Sequence, residues 1–499
     1  CKQAQPFPGM VQPIDRDAAM SQNFEARYAE AMQRACQRAV EYRQRSKARA
    51  PRPTATLAEL RAAFDVGLPE EGRDPTWIID TLADAAEPGL IGITSPHFFG
   101  WVMGASHPVG VAAEFLTAAY GQNAAIFQCS PAAAVAEEVA SGWLLDLLDL
   151  PRDSAVGFTT GATMASFICL AAARRELLQC AGWNLEEGGL FGAPEVHVFL
   201  SEQAHATVHS GLRHLGFGER QKVTIESDSQ CRMVTGQLAA RLAQYQGPKI
   251  IISQAGHINS GAFDDFAAIA DLARTHNAWH HVDGAFGLWA RAVPGLAHHC
   301  AGIAAANSWA VDGHKWLQVS YDSGFAIVRD EAAMTRAMEV SASYITPGPE
   351  DGRNPKHYGP ELSRRARGFA VWATIQALGR KAVEEMVARH TRCAKHLADI
   401  VSREPGIRVL NEVVINQAVL AFGSADEPLA TRSAYARAVI DEVRRENTSF
   451  VGGAEWKGEH ILRVSVISRS TDLRDMDQLA ESIVRAWSLV RSGRGSAAI

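Results

Sequence analysis

The chain has 499 residues, 47% of them hydrophobic and 21% charged, with a formal net charge of −6. The length allows two or three domains with ample core, the balance is that of an ordinary globular protein, and the mild negative charge leaves no footprint of a nucleic-acid or anionic-membrane partner. Eight cysteines without a Cys-x-x-Cys pair, and 17 histidines without a His-Glu-x-x-His helix, argue against a metal or disulfide framework and point to a reducing cytoplasm.

No apolar run approaches the roughly 20 residues of a membrane span. The opening Cys1-Lys2-Gln3-Ala4 has neither an initiator Met nor the apolar core of a signal peptide, and reads as a trimmed or engineered end. A polar, Arg-rich helical pattern runs from about Asp17 to Ala48, where Pro51 and Pro53 break it. A second helix is predicted to begin near Thr56, with Leu57, Leu60 and Phe64 on one face. The apolar stripe is thin, so residues 1–75 read as an arm that packs on something else.

From about Pro75, Ala/Leu-rich helices (Gly110–Tyr120, Ala132–Leu148, Ala165–Leu178) alternate with short apolar runs at Ala155–Phe158, Val196–Leu200, Lys249–Ser253, Ala278–Val282 and Gly324–Val328. Such alternation predicts an α/β domain, residues 76–330, with a mostly parallel sheet covered on both faces. Ligands of such sheets sit at the carboxyl ends of the strands, so the residues just after each run matter most. A Gly/Pro-rich loop, Pro347–Pro355, reads as a lid. A long helical stretch from Glu361 towards Val401 follows, then strands at Ala418–Phe422 and Leu462–Val466 and a last helix opened by Ser470-Thr471-Asp472. Residues 331–499 thus read as a smaller α+β domain.

Four segments carry chemistry. Gly157-Phe158-Thr159-Thr160-Gly161-Ala162-Thr163 follows a strand and opens a helix, where small residues and the helix N-terminus favour a phosphate. Taken alone it is a weak signal, more readily a tight strand-to-helix turn. His205 follows the run Val196–Leu200, where a ring can stack on a flat cofactor or bond at a strand end. Asp283 closes a buried strand; a buried carboxylate needs a partner, and a protonated pyridine nitrogen or a helix N-terminus would each serve. Lys315, in Val311-Asp312-Gly313-His314-Lys315-Trp316, lies in an apolar setting where desolvation turns a lysine into a nucleophile able to form an imine with an aldehyde cofactor.

In that order the four segments resemble the group II pyridoxal-phosphate-dependent amino-acid decarboxylases, relatives of the aromatic-L-amino-acid, tyrosine and glutamate decarboxylases. The resemblance runs from about Thr76 to the C-terminus, with further family-like segments at Ser95-Pro96-His97-Phe98-Phe99, Ser130-Pro131-Ala132 and Leu362-Ser363-Arg364-Arg365-Ala366-Arg367. It implies a fold type I, aspartate aminotransferase-like enzyme using pyridoxal 5′-phosphate, dimeric, with active sites shared between subunits. It implies that Lys315 forms the Schiff base, that His314, Ala162 and Thr163 hold the phosphate, that Asp283 pairs with the ring nitrogen and that His205 stacks on the ring. Gly256–Gly261 is similar to the family's Gly-Thr-Thr turn, with His257 and Ile258 in place of the hydroxyls. Asp312 stands where the aromatic-amino-acid enzymes carry an asparagine, and is not counted as a phosphate ligand.

By the same resemblance Trp101, Val102 and Met103 line the side-chain pocket, and the turn at Phe127 is a cross-subunit segment. This apolar lining favours an aromatic or bulky apolar substrate over glutamate. Decarboxylation to the amine needs an acid at Cα, and the chain offers Tyr358, with Tyr344 as the other tyrosine near the lid. Without one, an aldehyde synthase or a C–C lyase becomes the alternative. A non-catalytic cofactor-binding homologue would show a damaged lysine or aspartate, and both are intact. A transaminase, with Arg463 as carboxylate binder, fits the His-Lys-Trp context less well.

Overall fold

The computed structural model describes residues 16–339 and 352–493, with side chains from Glu25 onward. The chain divides between Gly92 and Ile93 into two compact units. The first holds helices Arg16–Arg45, Leu57–Phe64 and Pro75–Ala86. Thr56 opens the second of these in a reciprocal cap with Glu59. Charged pairs such as Arg34–Asp80 (2.7 Å) tie the first helix to the third. Apolar burial is sparse here: Leu57, Phe64, Leu68 and Leu82 are all exposed.

The second unit is built on a seven-stranded sheet: β1 (Ala155–Thr159), β2 (His197–Ser201), β3 (Lys222–Ile225), β4 (Lys249–Gln254), β5 (Ala278–Asp283), β6 (Ser308–Asp312) and β7 (Gly324–Val328). The spatial order is β1-β7-β6-β5-β4-β2-β3. All neighbours are parallel except β7, which runs antiparallel to both β1 and β6. β1 therefore points the same way as β6, and their carboxyl ends open on one edge. Strand side chains alternate between two cores, as a sheet buried on both faces requires. Val156, Phe158, Trp309, Val311, Phe325 and Ile327 face one core, while Ala155, Ala310, Ala326 and Val328 face the other beside helix Ala162–Cys180.

A second, wholly antiparallel sheet is formed by β8 (Ile407–Val409), β9 (Gln417–Phe422), β10 (Gly452–Trp456) and β11 (Glu459–Ser465), in the order β10-β11-β9-β8. Helices Arg367–Val401, Leu429–Glu446 and Leu473–Arg491 share its core. The long helix predicted from Glu361 begins at Arg367 and breaks at Gly379, where φ is +61°. β3, β6, β8 and β10 were not predicted: each is five residues or fewer, and none presents a long apolar run.

Candidate active site

The carboxyl ends of β1, β2, β4, β5 and β6 converge on a cavity of about 320 Å³, the place the doubly wound topology reserves for a ligand. Its walls include Gly161, Ala162, Thr163, His205, Asp283, His314 and Lys315, so all four segments singled out by sequence meet here.

Each side chain is aimed by the element that carries it. Asp283 ends β5, and its Oδ1 accepts the Ala285 N–H at 3.2 Å. Burial raises its pKa, opposed chiefly by the charges of His205 and Lys315. His205 caps helix Ala206–His214, its Nδ1 accepting the Thr207 N–H and lying 2.7 Å from the Thr207 hydroxyl. That leaves the exposed ring at the cavity mouth. His314 is fixed by its Nδ1, 2.7 Å from the Ser323 carbonyl, which makes this nitrogen the donor. Its ring stacks on Tyr321, another cavity residue, with centroids 4.2 Å apart. Burial lowers the His314 pKa and pushes the Tyr321 phenol up to about 12.

Lys315 departs from expectation. Its setting is not purely apolar: Nζ lies 2.9 Å from Asp312 Oδ2, and 5.8 Å from the centroid of the Phe286 ring. The other Asp312 oxygen accepts the Ala162 N–H at 2.6 Å, at the start of the Ala162–Cys180 helix. The backbone around Lys315 is packed closely. A Cβ on Gly104 would sit 1.7 Å from the His314 carbonyl oxygen, so only glycine fits there.

The predicted pocket residues separate. Val102 lines the cavity, whereas Trp101, Met103 and Phe127 do not. Trp101 is half exposed and stacks on Phe450 (5.5 Å), and the Phe127 N–H bonds the Asn354 side chain at 3.3 Å. Ile258 lines the cavity, but His257 turns away into Ser260, and burial takes its pKa down to about 4. Arg463 is not on the wall either; its Nη1 donates to the Ile258 carbonyl (3.1 Å) and the Asn259 side chain (3.2 Å), holding that loop. The Leu-Ser-Arg-Arg segment braces the site from behind: Arg364 pairs with buried Glu137 at 2.8 Å, and Arg367 pairs with Asp322, next to Tyr321, at 3.0 Å.

Tyr358, expected as the acid at Cα, does not line the cavity of its own chain. Its hydroxyl donates to Glu331 and its ring lies 3.8 Å under the Arg353 guanidinium, within the core beside β1. Tyr344 lies outside the described residues. Tyr358→Phe is therefore expected to leave the ratio of amine to aldehyde product unchanged and to cost about 1 kcal/mol of stability from the lost hydrogen bond, read by product analysis and thermal unfolding.

On the wall, Thr160, Ala285 and Phe286 fall inside the segments singled out by sequence without a role of their own, and sequence reasoning missed Thr207, Gln254 and Tyr321. Among the described residues, no group of three or more His, Cys, Asp or Glu side chains is disposed to hold a metal ion, and no helix is long and apolar enough to cross a membrane.

These residues fit a flat, phosphate-bearing aldehyde. Lys315 offers the amine, Asp283 a buried carboxylate, and the Ala162–Cys180 helix an N-terminal pole where Gly161 lacks a side chain; a Cβ there would sit 3.1 Å from Asp312 Oδ1 and 3.3 Å from His314 Cε1.

Residues 58–422 match the model of the pyridoxal-dependent decarboxylase conserved domain. The chain is 26% identical over 435 residues to an aromatic-L-amino-acid decarboxylase of Bacillus atrophaeus, covering 85% of this chain and 88% of that protein. It is 25% identical over 442 residues to a 3,4-dihydroxyphenylacetaldehyde synthase of Aedes aegypti, covering 85% and 81%. Its fold is that of the crystal structure of Oryza sativa TDC with PLP and tryptamine, with a TM-score of 0.85 at 21% identity over 96% of this chain and 100% of that one.

Proposed function

Because the chain belongs to the pyridoxal-dependent decarboxylase family, we propose that Lys315 is the amine that carries its cofactor and that its substrate is an aromatic or bulky apolar L-amino acid. The protein is a fold type I lyase that uses pyridoxal 5′-phosphate to decarboxylate an amino acid. When bound, the cofactor supplies an aldehyde that takes up amines and a ring that accepts the electron pair of a broken Cα–carboxylate bond.

The chain's own residues have separate tasks in this reading. Asp283 holds a proton at the pyridine nitrogen, for which a buried carboxylate is suited. His205 covers the open face of the ring. Thr163, the helix N-terminus and His314 take the phosphate. Val102, Ile258 and Phe286 supply apolar wall and keep water from the reacting carbon. The observation that carries this reading is the single cavity joining the Lys315 amine, the Asp283 carboxylate and the Ala162–Cys180 helix N-terminus.

Borohydride reduction of the holoenzyme followed by peptide mass spectrometry is expected to place the adduct on Lys315; an adduct elsewhere ends this assignment. Incubation with each standard amino acid, following CO2, amine, aldehyde and hydrogen peroxide together, then identifies substrate and product. Aromatic substrates are expected to give CO2 and amine in equal amounts. A second reading, an aldehyde synthase, is favoured by one observation: Tyr358 is spent on Glu331 away from the cavity. Aldehyde and peroxide in place of amine would select it.

The reading extends to assembly and place. Residues 76–330 carry the cofactor, 331–499 form the smaller domain, and 1–75 are the arm through which two copies associate. The sparse burial of the first unit supports a homodimer, as do exposed Phe115, Leu116 and Tyr120 along helix Pro108–Tyr120. In the dimer Trp101, Met103 and Phe127 complete the pocket of a second copy. The unpaired cysteines among the described residues suit a cytoplasmic enzyme.

A further inference from the structure

Asp312 is the one ionised group in the cavity that the chemistry above does not use, and its bonds are the most specific there. Its backbone is pinned at both ends, the N–H donating to the Ala285 carbonyl at 2.9 Å and the carbonyl accepting the Trp289 indole N–H at 3.0 Å. The side chain alone is left to move. One carboxylate oxygen meets Lys315 Nζ at 2.9 Å and the other meets the Ala162 N–H at 2.6 Å. The carboxylate is buried, and the absent side chain of Gly161 is what admits it.

It therefore occupies the positive pole of the Ala162–Cys180 helix, which is also where a phosphate would bind, and it neutralises the amine that an aldehyde must reach. Two anions cannot share one pole without repulsion. We propose that Asp312 is a built-in place-holder anion: in the cofactor-free protein it fills the phosphate end of the cavity and engages Lys315, and it yields its bond to Ala162 when a phosphate-bearing aldehyde enters. It is a positioning residue, acting through Lys315 and the helix terminus. The consequence is that an incoming phosphate competes with the protein's own carboxylate for the Ala162 N–H.

The inference rests on the assignment of Lys315 and the helix N-terminus as the cofactor site. The test uses the full chain stripped of cofactor, as wild type and as Asp312→Asn, titrated with inorganic phosphate, pyridoxal 5′-phosphate and pyridoxal while tryptophan fluorescence is followed. Asp312→Asn is expected to bind phosphate and the phosphate ester roughly tenfold more tightly, the scale of one like charge removed at contact distance. Pyridoxal, which lacks the phosphate and feels the change only through Lys315, is expected to gain much less, and the cofactor-free variant to unfold at a lower temperature than wild type. Unchanged or weaker phosphate binding overturns the proposal, and so does an equal gain for pyridoxal. If the asparagine variant does not fold, Asp312→Ser, which removes the same charge in a smaller side chain, carries the same expectations. A borohydride adduct on wild-type Lys315 alongside a failed phosphate test rejects the place-holder alone, whereas no adduct there rejects the site assignment.

Discussion

Lys315→Ala is expected to lose at least about 10⁴-fold in turnover, or ~5–6 kcal/mol of transition-state stabilisation, with no borohydride-reducible adduct. It is also expected to be less stable than wild type in the cofactor-free form, for a separate reason. Lys315 Nζ is the ion-pair partner of Asp312, whose side chain is 4% exposed, and truncation leaves that carboxylate without its cation. Stripping one partner from a fully buried pair costs about 3–5 kcal/mol. Here the lysine is 18% exposed and Asp312 keeps the Ala162 N–H, so about 2 kcal/mol and a fall of a few degrees in Tm are expected. Lys315→Arg separates the two effects. A guanidinium keeps a charge for Asp312 but cannot act as the nucleophilic amine. The arginine variant should recover most of the lost Tm and none of the activity. Activity above about 1% of wild type in either variant, on a scale where each tenfold is ~1.4 kcal/mol, would remove Lys315 from the reaction.

The parts of this site that were legible in sequence are those fixed by local pattern. Apolar runs marked β1, β2, β4, β5 and β7, and because a doubly wound sheet gathers the ends of its strands, Ala162, His205 and Asp283 were bound to meet. β6 was not recognised as a strand, since Ser308 and Asp312 frame only three apolar residues. Lys315 was found through its neighbours His314 and Trp316 instead. What stayed hidden depends on where side chains point. Tyr358 looked free because nothing in the sequence ties it to Glu331, 27 residues earlier. Trp101 and Met103 flank a residue that does line the cavity, yet an extended turn sends neighbours in different directions, and Trp101 has the left-handed φ of +49°. Asp312 was read only as an unwelcome acid near a phosphate. Its double role emerged once the turn at Gly313 had brought it against both Lys315 and Ala162.

Acid is expected to unfold this protein before most of its carboxylates titrate. Burial takes His280, His281 and His390 down to about 3, and His257 to about 4, from an ordinary value of 6.5. These rings are held neutral by neutral partners: His280 by Ser253 (2.7 Å), His281 by Ser308 (2.9 Å), and His390 between the Trp316 indole N–H (2.9 Å) and the Ser468 carbonyl (3.0 Å). A depressed folded pKa means that the unfolded chain binds the proton first. The stability from these groups is complete above pH 6.5 and is lost as pH falls towards 4, at about 1.4 kcal/mol per pH unit for each ring. Asp264, raised to about 6, works the other way, gaining stability as pH falls from about 6 towards 3.8. Four groups against one leave a net slope of about 4 kcal/mol per pH unit below pH 5.5, steep against a total stability of about 5–15 kcal/mol. The failure is expected to reach the site early, because protonating His390 takes away the acceptor of Trp316, the residue that follows Lys315. Calorimetric unfolding of the holoenzyme from pH 8 to 4.5, in buffers of different ionisation enthalpy, should show Tm falling steeply below pH 6 with net proton uptake. His390→Gln should flatten that slope by about one proton's share, and a Tm independent of pH between 7 and 5 would show that these rings are not buried neutral.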